Sequence, residues 1–476
     1  MGFFRLIWPL LVSAALAVPC FWHSRIAAGD LGSHVYNAWI YNLVIAGEIE
    51  GYSVSSQLNN VLFDSMLSAL GRVLGYVWAE RLAVSAAVWI FFWGAWHWIR
   101  VVTGQRPWGV IPILAMITYG WTFHAGFFNF YLSVGFAFLG LAVFSSGFRW
   151  RYFLCAALAC LAYSAHPLGF IWLVGAGAYT LGSSRFGLRG KLVLLGIVGA
   201  ALVATRLFIR HQRFFALPPP DLRWFLNGSD QIVLGSYYWG VLLVLAVVFT
   251  PELIRAFARW REKGFDAQVR LLPVELYLIT MMLVATQPST LHLPWWSGTV
   301  GFILERTTLI SAVLLCGCAG LLHFSLLKRW VIGGAAVLFF GLVYSDTAWL
   351  NRMEHVIAAT VRTIPAGSRV LGTFDSSPPN SRLMFNWHML DRSCIGHCFS
   401  YSNYEPSTGQ FRIRASESNR NVLIWGVGDA VKGNYVVRTE DLPVYQVYQD
   451  QYDRMKFEIR SLGAGEKNGS KLTERK

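Results

Sequence analysis

Eleven apolar runs dominate the sequence, and each approaches the length that a helix needs to cross the hydrocarbon core of a bilayer. The runs lie at 6–22, 82–99, 109–123, 127–147, 152–165, 168–184, 192–209, 232–250, 271–286, 301–322 and 331–346. Charged residues make up only 14% of the chain, against about 25% in an ordinary soluble domain. The pattern predicts an α-helical polytopic membrane protein with about eleven spans.

Lysine and arginine are concentrated in every second loop between these runs. These residues are Arg5, Arg100, Arg106, Arg149, Arg151, Arg185, Arg189, Lys191, Arg255, Arg259, Arg261, Lys263, Arg270, Lys328 and Arg329. By the positive-inside rule, the loops that carry them are cytoplasmic. The N-terminus is then cytoplasmic, and an odd number of spans places the C-terminal region outside. The same distribution explains the net charge of +14, so we expect no nucleic-acid partner.

The first run has two interpretations. Residues 1–20 have features of a cleaved signal peptide, because Arg5 precedes an apolar stretch that ends in small residues. We favour an uncleaved first span, since the apolar run continues to Trp22 and further apolar runs follow.

Two polar regions are expected outside the cytoplasm. The loop 23–81 contains amphipathic stretches near 34–48 and 58–78 that suit helices lying at the membrane interface. Residues 347–460 have the mixed pattern of a small extracytoplasmic α/β domain, and the charged tail 461–476 is expected to be disordered. The elements predicted for this domain are a helix at 346–363 and strands at 368–372, 422–425 and 435–437.

Asp30 and His34 form the first candidate site, just after the first span. If a helix begins at Asp30, His34 lies one turn later on the same face. A carboxylate at the membrane interface is costly unless it has a partner or a role. Such a pair could orient a catalytic base or bind a divalent metal. The alternative is that Asp30 only caps the helix.

Cations that membrane orientation does not require form a second group. Arg306 follows Glu305 inside the tenth span, and a guanidinium suits bidentate binding of phosphate. The alternative is an ion pair of Glu305 with Arg306 that holds two spans together. Arg210 and Arg213 share one helical face with Arg206 in a loop predicted to be external. They could bind an anionic ligand, contact lipid phosphates or indicate a miscounted span nearby.

Further polar residues lie at the predicted external ends of spans. They are His124, Asn129, His166, Gln287 and His292. Each by itself is more typical of an interfacial side chain than of a ligand. Together with Asp30 and Arg306, they could surround one external cavity.

Familiar catalytic motifs are scarce in this sequence. It contains no Walker loop, no Gly-x-Gly-x-x-Gly opening a helix, no nucleophile elbow and no His-Glu-x-x-His. A soluble nucleotide-dependent active site is therefore not expected. Cys394 and Cys398 favour a disulfide or free thiols over zinc, because their spacing matches no familiar zinc site.

The membrane part, residues 1–346, resembles the GT-C superfamily of polytopic glycosyltransferases, which use polyprenyl-phosphate sugars. The resemblance rests on an acidic residue after the first span, in Gly29-Asp30-Leu31-Gly32-Ser33-His34, on the helix-like Tyr36 to Gly47, and on Glu305-Arg306 in a late span. It implies a GT-C-like fold in a bacterial inner membrane. Many members carry two adjacent acidic residues, whereas Leu31 follows Asp30 here, so a divalent metal is an open alternative and no cofactor is assigned.

The resemblance also implies a reaction and roles for individual residues. A sugar moves from a polyprenyl-phosphate donor to a glycan, lipid or protein acceptor on the extracytoplasmic side. Asp30 would be the base, and His34 would orient it or bind a metal. Arg306 would hold the donor phosphate, with Arg210 or Arg213 as alternates.

Two other readings compete with this one. A membrane enzyme of the O-antigen ligase or polymerase kind also joins lipid-linked glycans, but its large external loop lies between late spans, whereas the large polar region here is C-terminal. A transporter or a non-enzymatic assembly protein is the third reading. A transporter usually shows related halves, and no convincing internal repeat is present.

Overall fold

The computed structural model describes residues 2–211, 215–216, 225–263, 271–292, 299–374, 381–382 and 388–469. These residues are mostly helical, as the apolar runs predict. Contacts divide the chain into two compact units. The first comprises Met1–Leu16, Ala86–Phe123 and Phe128–Val343, and the second comprises Ala17–Ser85, His124–Phe127 and Tyr344–Lys476.

Each of the eleven predicted runs coincides with helical structure. The helices in these regions are α1 (Gly2–Ala17), α4 (Tyr76–Thr103), α5 (Ile111–Thr118), α6 (Trp121–Ala125), α7 (Phe128–Phe144), α8 (Arg151–Ala165), α9 (Pro167–Ser183), α10 (Leu188–His211), α11 (Trp239–Lys263), α12 (Leu272–Thr286), α13 (Ile303–Ala319) and α14 (Leu326–Val361). The run 109–123 is divided into α5 and α6. Gly120 lies at the break, where a Cβ atom would be 2.7 Å from the carbonyl oxygen of Gln231.

Four helical segments are long and apolar enough to cross a membrane. They are Tyr76–Thr103, Leu188–Phe208, Ser236–Ala258 and Leu326–Val361, found among the described residues by length and composition. Shorter apolar helices include Phe128–Phe144 and Leu272–Thr286. The membrane character of the helical part is therefore supported, while the count of eleven spans stays a prediction.

Small residues bring helices of the first unit close together. A Cβ atom on Gly94 in α4 would lie 2.2 Å from the carbonyl oxygen of Gly135 in α7. Such close backbone approach is typical of helices that pack in lipid, where van der Waals contact replaces the hydrophobic effect. Three short strands, β2 (Phe215–Ala216), β3 (Thr290–His292) and β4 (Thr299–Val300), form an antiparallel sheet in this unit.

The second unit combines segments that are far apart in the sequence. Its elements include α2 (Leu31–Ala46), α3 (Leu62–Leu74), α15 (Met389–Cys394), α16 (Glu405–Thr408) and α17 (Val427–Val431), with strands β1 (Tyr52–Val54), β5 (Arg369–Thr373), β6 (Phe399–Ser400), β7 (Ile413–Ala415), β8 (Val444–Gln449) and β9 (Phe457–Leu462). The larger sheet has the order β6-β5-β8-β9, with only β9 antiparallel to its neighbour. The predicted loop 23–81 and the C-terminal region therefore belong to one unit, because β1 pairs with β7.

Several predictions for the C-terminal region are confirmed and others are wrong. The amphipathic stretches form α2 and α3, and the strand predicted at 368–372 is β5. Residues 422–425 form no strand, and 435–437 contribute a single bridge from Val436. Val422 and Leu423 lie outside any strand, and both side chains are buried.

The predicted disordered tail begins too early. Strand β9 continues to Leu462, and the buried side chain of Asn468 donates to the carbonyl of Ala430 at 2.6 Å and accepts from the backbone of Tyr435. Only 470–476 of the predicted tail lie outside the described residues. The predicted domain boundary at 346 lies inside α14, and the second unit begins at Tyr344 there.

Candidate functional site

Asp30 immediately precedes α2, and backbone hydrogen bonds hold it in place. Its amide donates to the carbonyl of Ala125 at 3.0 Å. Gly126 has φ +86°, and a Cβ atom there would be 2.4 Å from the nitrogen of Asp30, so this close approach requires glycine. The side chain of Asp30 makes no capping hydrogen bond. The side chain of Asp30 is 26% exposed.

His388 faces Asp30 from the C-terminal part of the second unit. Its Nε2 lies 3.8 Å from the Asp30 carboxylate, and its Nδ1 is 2.7 Å from the carboxylate of Asp391. Gly32 makes room for this arrangement, since a Cβ atom there would be 2.1 Å from the carbonyl oxygen of His388. The result is a row of Asp391, His388 and Asp30 in which the imidazole is oriented from one side and faces a partly exposed carboxylate on the other.

Charge favours the protonated form of His388. Burial by itself lowers its pKa, but the hydrogen bond to Asp391 and the charges of Asp391, Asp30 and Glu405 outweigh burial and raise the pKa above its usual value. Asp391 is itself held by Asn403, whose amide donates at 2.9 Å, and by the hydroxyl of Ser400. The protonated form, which these charges favour, would place a positive charge beside Asp30.

His34 is positioned differently from the prediction. Its Nδ1 is 2.7 Å from the carboxylate of Asp64 in α3, so Asp64 rather than Asp30 is the hydrogen-bonded partner of the imidazole. Burial lowers its pKa, but Asp64, Glu405 and Asp30 outweigh burial and raise the pKa to about 9. A protonated imidazole has no free lone pair for a metal. Within the described residues, no group of three or more His, Cys, Asp or Glu side chains could hold a metal ion.

A hydrogen-bonded network connects His388 and Asp391 to Ser33 and Glu405. The Ser33 hydroxyl donates to Glu405 at 2.7 Å, and the Asn403 amide donates both to Ser33 and to Asp391. Burial raises the pKa of Glu405 to about 7, although the charge of His34 opposes that rise. The second unit thus contains a buried carboxyl that changes its protonation near neutral pH.

A buried ion cluster supports the segment that precedes Asp30. Arg392 pairs with both oxygens of Glu354 and lies 3.0 Å from Glu80. It also donates to the carbonyl of Ile26 at 3.1 Å, and the amide of Ile26 donates to Glu80. All three charged side chains are buried. The cluster therefore joins α4, α14 and α15 to the chain just before the candidate base.

Arg306 and Glu305 lie in the first unit, on the first turn of α13. Both side chains are half-buried, and Arg306 donates to the carbonyl of Gly301 at 3.2 Å. The Gln231 amide donates to the carbonyl of Glu305 and to Thr308, and Thr308 also donates to the buried Asp230. Asp230 and Gln231 were not predicted from the sequence. Their contacts hold the beginning of α13 against the short 3₁₀ helix Ser229–Ile232 that carries them.

The remaining predicted residues of the first unit are buried or lie outside the described residues. His166 accepts from the amide of Leu168 at 3.2 Å and caps α9, which accounts for a buried histidine at that position. Asn129 is buried in the first turn of α7. Arg213 lies outside the described residues, as do the side chains of Arg210 and His292.

The two cysteines of the second unit form a disulfide. Cys394 ends α15 and bonds to Cys398, which confirms one of the two sequence-based options. The loop they close follows directly after Asp391 and Arg392, so the disulfide restrains the end of the helix that carries both.

Most partners of Asp30 were missed in the sequence. His388 carried one usable signal, because its spacing from Asp391 is the i,i+3 spacing of a helical pair. Asp64 and Glu405 carry no such signal. The chain matches no protein-family model, no curated protein and no solved structure.

The stability of the second unit should fall with rising pH because of His34. Its pKa of about 9 in the folded state lies above the ordinary 6.5, so its stabilising contribution is complete below pH 6.5 and is lost as the pH rises through 9. We expect a loss of up to ~3 kcal/mol. Thermal unfolding followed by circular dichroism at pH 7 and pH 9.5 measures it.

The variant His34→Gln isolates this contribution, because it should flatten the pH dependence. His323→Gln is the control, since His323 is exposed in the first unit and should leave the slope unchanged. The range starts at pH 7 because ionisation of Glu405 affects stability mainly between pH 4.5 and 7. An identical slope in His34→Gln and the unmodified protein would contradict the prediction.

Proposed function

We propose that this chain is a membrane glycosyltransferase that moves a sugar from a polyprenyl-phosphate donor to an acceptor outside the cytoplasm of a bacterium. The supporting observation is the partly exposed carboxylate of Asp30, held at the beginning of α2 and faced by the buried pair of His388 and Asp391. A positioned and partly exposed carboxylate suits proton abstraction from a hydroxyl or amine.

The proposed step is a direct displacement at the anomeric carbon of the donor sugar. The acceptor oxygen or nitrogen forms a bond to that carbon while Asp30 takes its proton. The bond between the anomeric carbon and the phosphate oxygen breaks, and the electron pair leaves with the lipid phosphate. His388, itself oriented by Asp391, faces the Asp30 carboxylate and fixes its position for this step.

The apolar helices of the first unit are the reason to propose a lipid donor. Four helical segments are long and apolar enough to cross a bilayer. A protein embedded in this way can reach a polyprenyl chain dissolved in the surrounding lipid. Arg306 supplies a guanidinium, the group best suited to a phosphate that gains charge as it leaves. Glu305 and the Asp230 network hold the helical turn that carries Arg306.

The direct test is an assay of the purified chain with a panel of polyprenyl-phosphate sugars and simple glycoside or lipid acceptors. We expect transfer from at least one monophosphate donor. Transfer only from a pyrophosphate-linked glycan would favour the ligase reading instead. Uptake of a sugar into vesicles without transfer would favour transport and would contradict the proposal.

Arg306→Ala should weaken use of the donor rather than the acceptor. Loss of a charge-assisted hydrogen bond costs about 1.5–3 kcal/mol, which corresponds to an increase in donor KM of about 10- to 100-fold. Initial rates at varied donor concentration measure it. Arg149→Ala is the matched control, because Arg149 is exposed in a predicted cytoplasmic loop and should leave the donor KM unchanged. An unaltered donor KM in Arg306→Ala would remove this residue from donor binding.

A further inference from the structure

A small recess lies in the second unit beside the pair of His34 and Asp64. Its lining includes Asn37 and Tyr41 of α2, Asp64 of α3, Glu405 of α16 and Arg412. The empty space of the recess together with its open mouth is about 300 Å³. The inner part is narrow and suits a hydroxyl or hydroxymethyl group, with a larger body remaining at the mouth.

Asn37 provides an observation that points to a ligand. Its side-chain nitrogen donates to the carbonyl of Ser33 at 3.0 Å, and because a carbonyl can only accept, this bond fixes which end of the amide is the nitrogen. The same nitrogen also reaches Asn403 at 3.2 Å. The side-chain oxygen of Asn37 is buried, and no hydrogen-bond donor reaches it from the described part of the chain. A buried acceptor without a hydrogen bond costs about 1–3 kcal/mol of folding stability. A ligand that donates a hydrogen bond to this oxygen would recover that free energy on binding.

The other groups of the recess define the chemistry of that ligand. Asp64 and Glu405 supply carboxylate oxygens, which also accept hydrogen bonds. Arg412 supplies donors at the rim: its guanidinium lies 3.4 Å from the centre of the Tyr41 ring and reaches the hydroxyl of Ser68. A partner for this set must donate several hydrogen bonds and accept at least one, as adjacent hydroxyl groups do.

The charges beside the recess favour a neutral ligand over a cationic one. Protonated His34 and Arg412 already place two positive charges beside the recess, against Asp64 and a Glu405 carboxyl whose pKa is about 7. The local charges nearly balance, so an ammonium group or a metal ion gains little by entering. A polyol gains hydrogen bonds and brings no charge.

We propose that the recess binds hydroxyl groups of a neutral hexopyranose, with Asn37, Asp64 and Glu405 accepting from the sugar and Arg412 donating to it. The proposal rests on the proposed function only in treating this sugar as part of a substrate. Binding by itself requires no transfer reaction. The sugar could belong to the donor or to a glycan acceptor, because both present the same hydroxyl groups.

The test is binding of methyl glycosides to the purified full chain, measured by saturation-transfer NMR. Methyl glucoside, mannoside and galactoside are the probes. The protein is kept in an amine-oxide detergent, because maltoside and glucoside detergents would compete for the site. We expect saturation transfer to at least one glycoside and none to the diamine putrescine. Transfer to putrescine alone, or to no probe, would overturn the proposal.

Two variants assign the binding to the recess. Asn37→Leu and Arg412→Gln should each weaken the binding about tenfold or more. Arg414→Gln is the matched control, because Arg414 is exposed, makes the same charge change and does not line the recess. If Asn37→Leu does not fold, as circular dichroism would reveal, Arg412→Gln decides the result. Full binding in the folded variants would contradict the site.

Comparison with the transfer assay separates the two proposals and the two sources of the sugar. Glycoside binding without any transfer would refute the transferase and leave the recess standing. If no glycoside binds and Arg412→Gln leaves the transfer rate unchanged, only the proposal that the recess binds a sugar is refuted. If the recess holds the donor sugar, Arg412→Gln raises the KM of the polyprenyl-phosphate sugar, whereas a role for the acceptor raises the acceptor KM.

Discussion

Asp30→Asn is expected to reduce sugar transfer to the background rate, a loss of about 10²- to 10⁴-fold, which is the usual contribution of a positioned general base. The amide has almost the shape of the carboxylate but does not accept a proton at neutral pH. The measurement is the initial rate of transfer from the best polyprenyl-phosphate donor under saturating acceptor.

The fold should tolerate this change. The side chain of Asp30 is partly exposed and makes no capping hydrogen bond, and the position of the residue depends on its backbone amide and on Gly126. Asp429→Asn serves as the control, because it removes an exposed carboxylate of the same unit. Transfer at the unmodified rate in Asp30→Asn would exclude Asp30 as the base. If Asp30→Asn unfolds at a much lower temperature than the unmodified protein, Asp30→Glu is the second variant to be assayed.

Arg392→Leu is expected to destabilise the second unit by about 3–5 kcal/mol, because it leaves the carboxylates of Glu80 and Glu354 buried without their cation. The charge of those two carboxylates also raises the pKa of the guanidinium, against the lowering by burial, so it stays protonated throughout the usual range. Denaturant unfolding of the chain in detergent measures the loss.

Arg438→Leu is the matched control for this prediction. Arg438 pairs with Glu440 at 3.5 Å, and both side chains are more than half exposed, so removal of this pair should cost at most about 1 kcal/mol. The triple variant Arg392→Leu, Glu80→Gln and Glu354→Gln should recover part of the lost stability, because it no longer buries an unpaired charge. Equal effects of Arg392→Leu and Arg438→Leu would show that the cluster does not stabilise the unit.

The folding of local segments was predictable to a useful degree. Helices such as α7 and α12 coincide with apolar runs. A long apolar segment forms a helix because the helix satisfies every backbone hydrogen bond within the segment. This property depends only on residues that are close together in the sequence. Strands were harder: β8 was missed, while the apolar residues at 422–425 form no strand. Short apolar stretches are ambiguous because a buried loop and a strand need the same residue types.

Only one residue of the candidate site was predictable, because its charge is unusual at its position in the sequence. Asp30 stood out as a carboxylate beside a predicted span, and a helix beginning at Asp30 was considered as one possibility. The partner of His34 was not, because Asp64 lies on another helix and no periodicity connects the two. Arg392 and Glu354 were likewise ordinary charges in a polar region until packing buried them together.

By itself, the sequence determined where helices form and singled out one unusual acid, since both depend on the local pattern of apolar and charged residues. Only the tertiary structure decided which groups surround that acid. His388 lies 358 positions after Asp30, and the pairing of β1 with β7 joins segments just as distant. Such contacts follow from how distant segments pack, and packing depends on the shape of the whole unit rather than on any one stretch of chain.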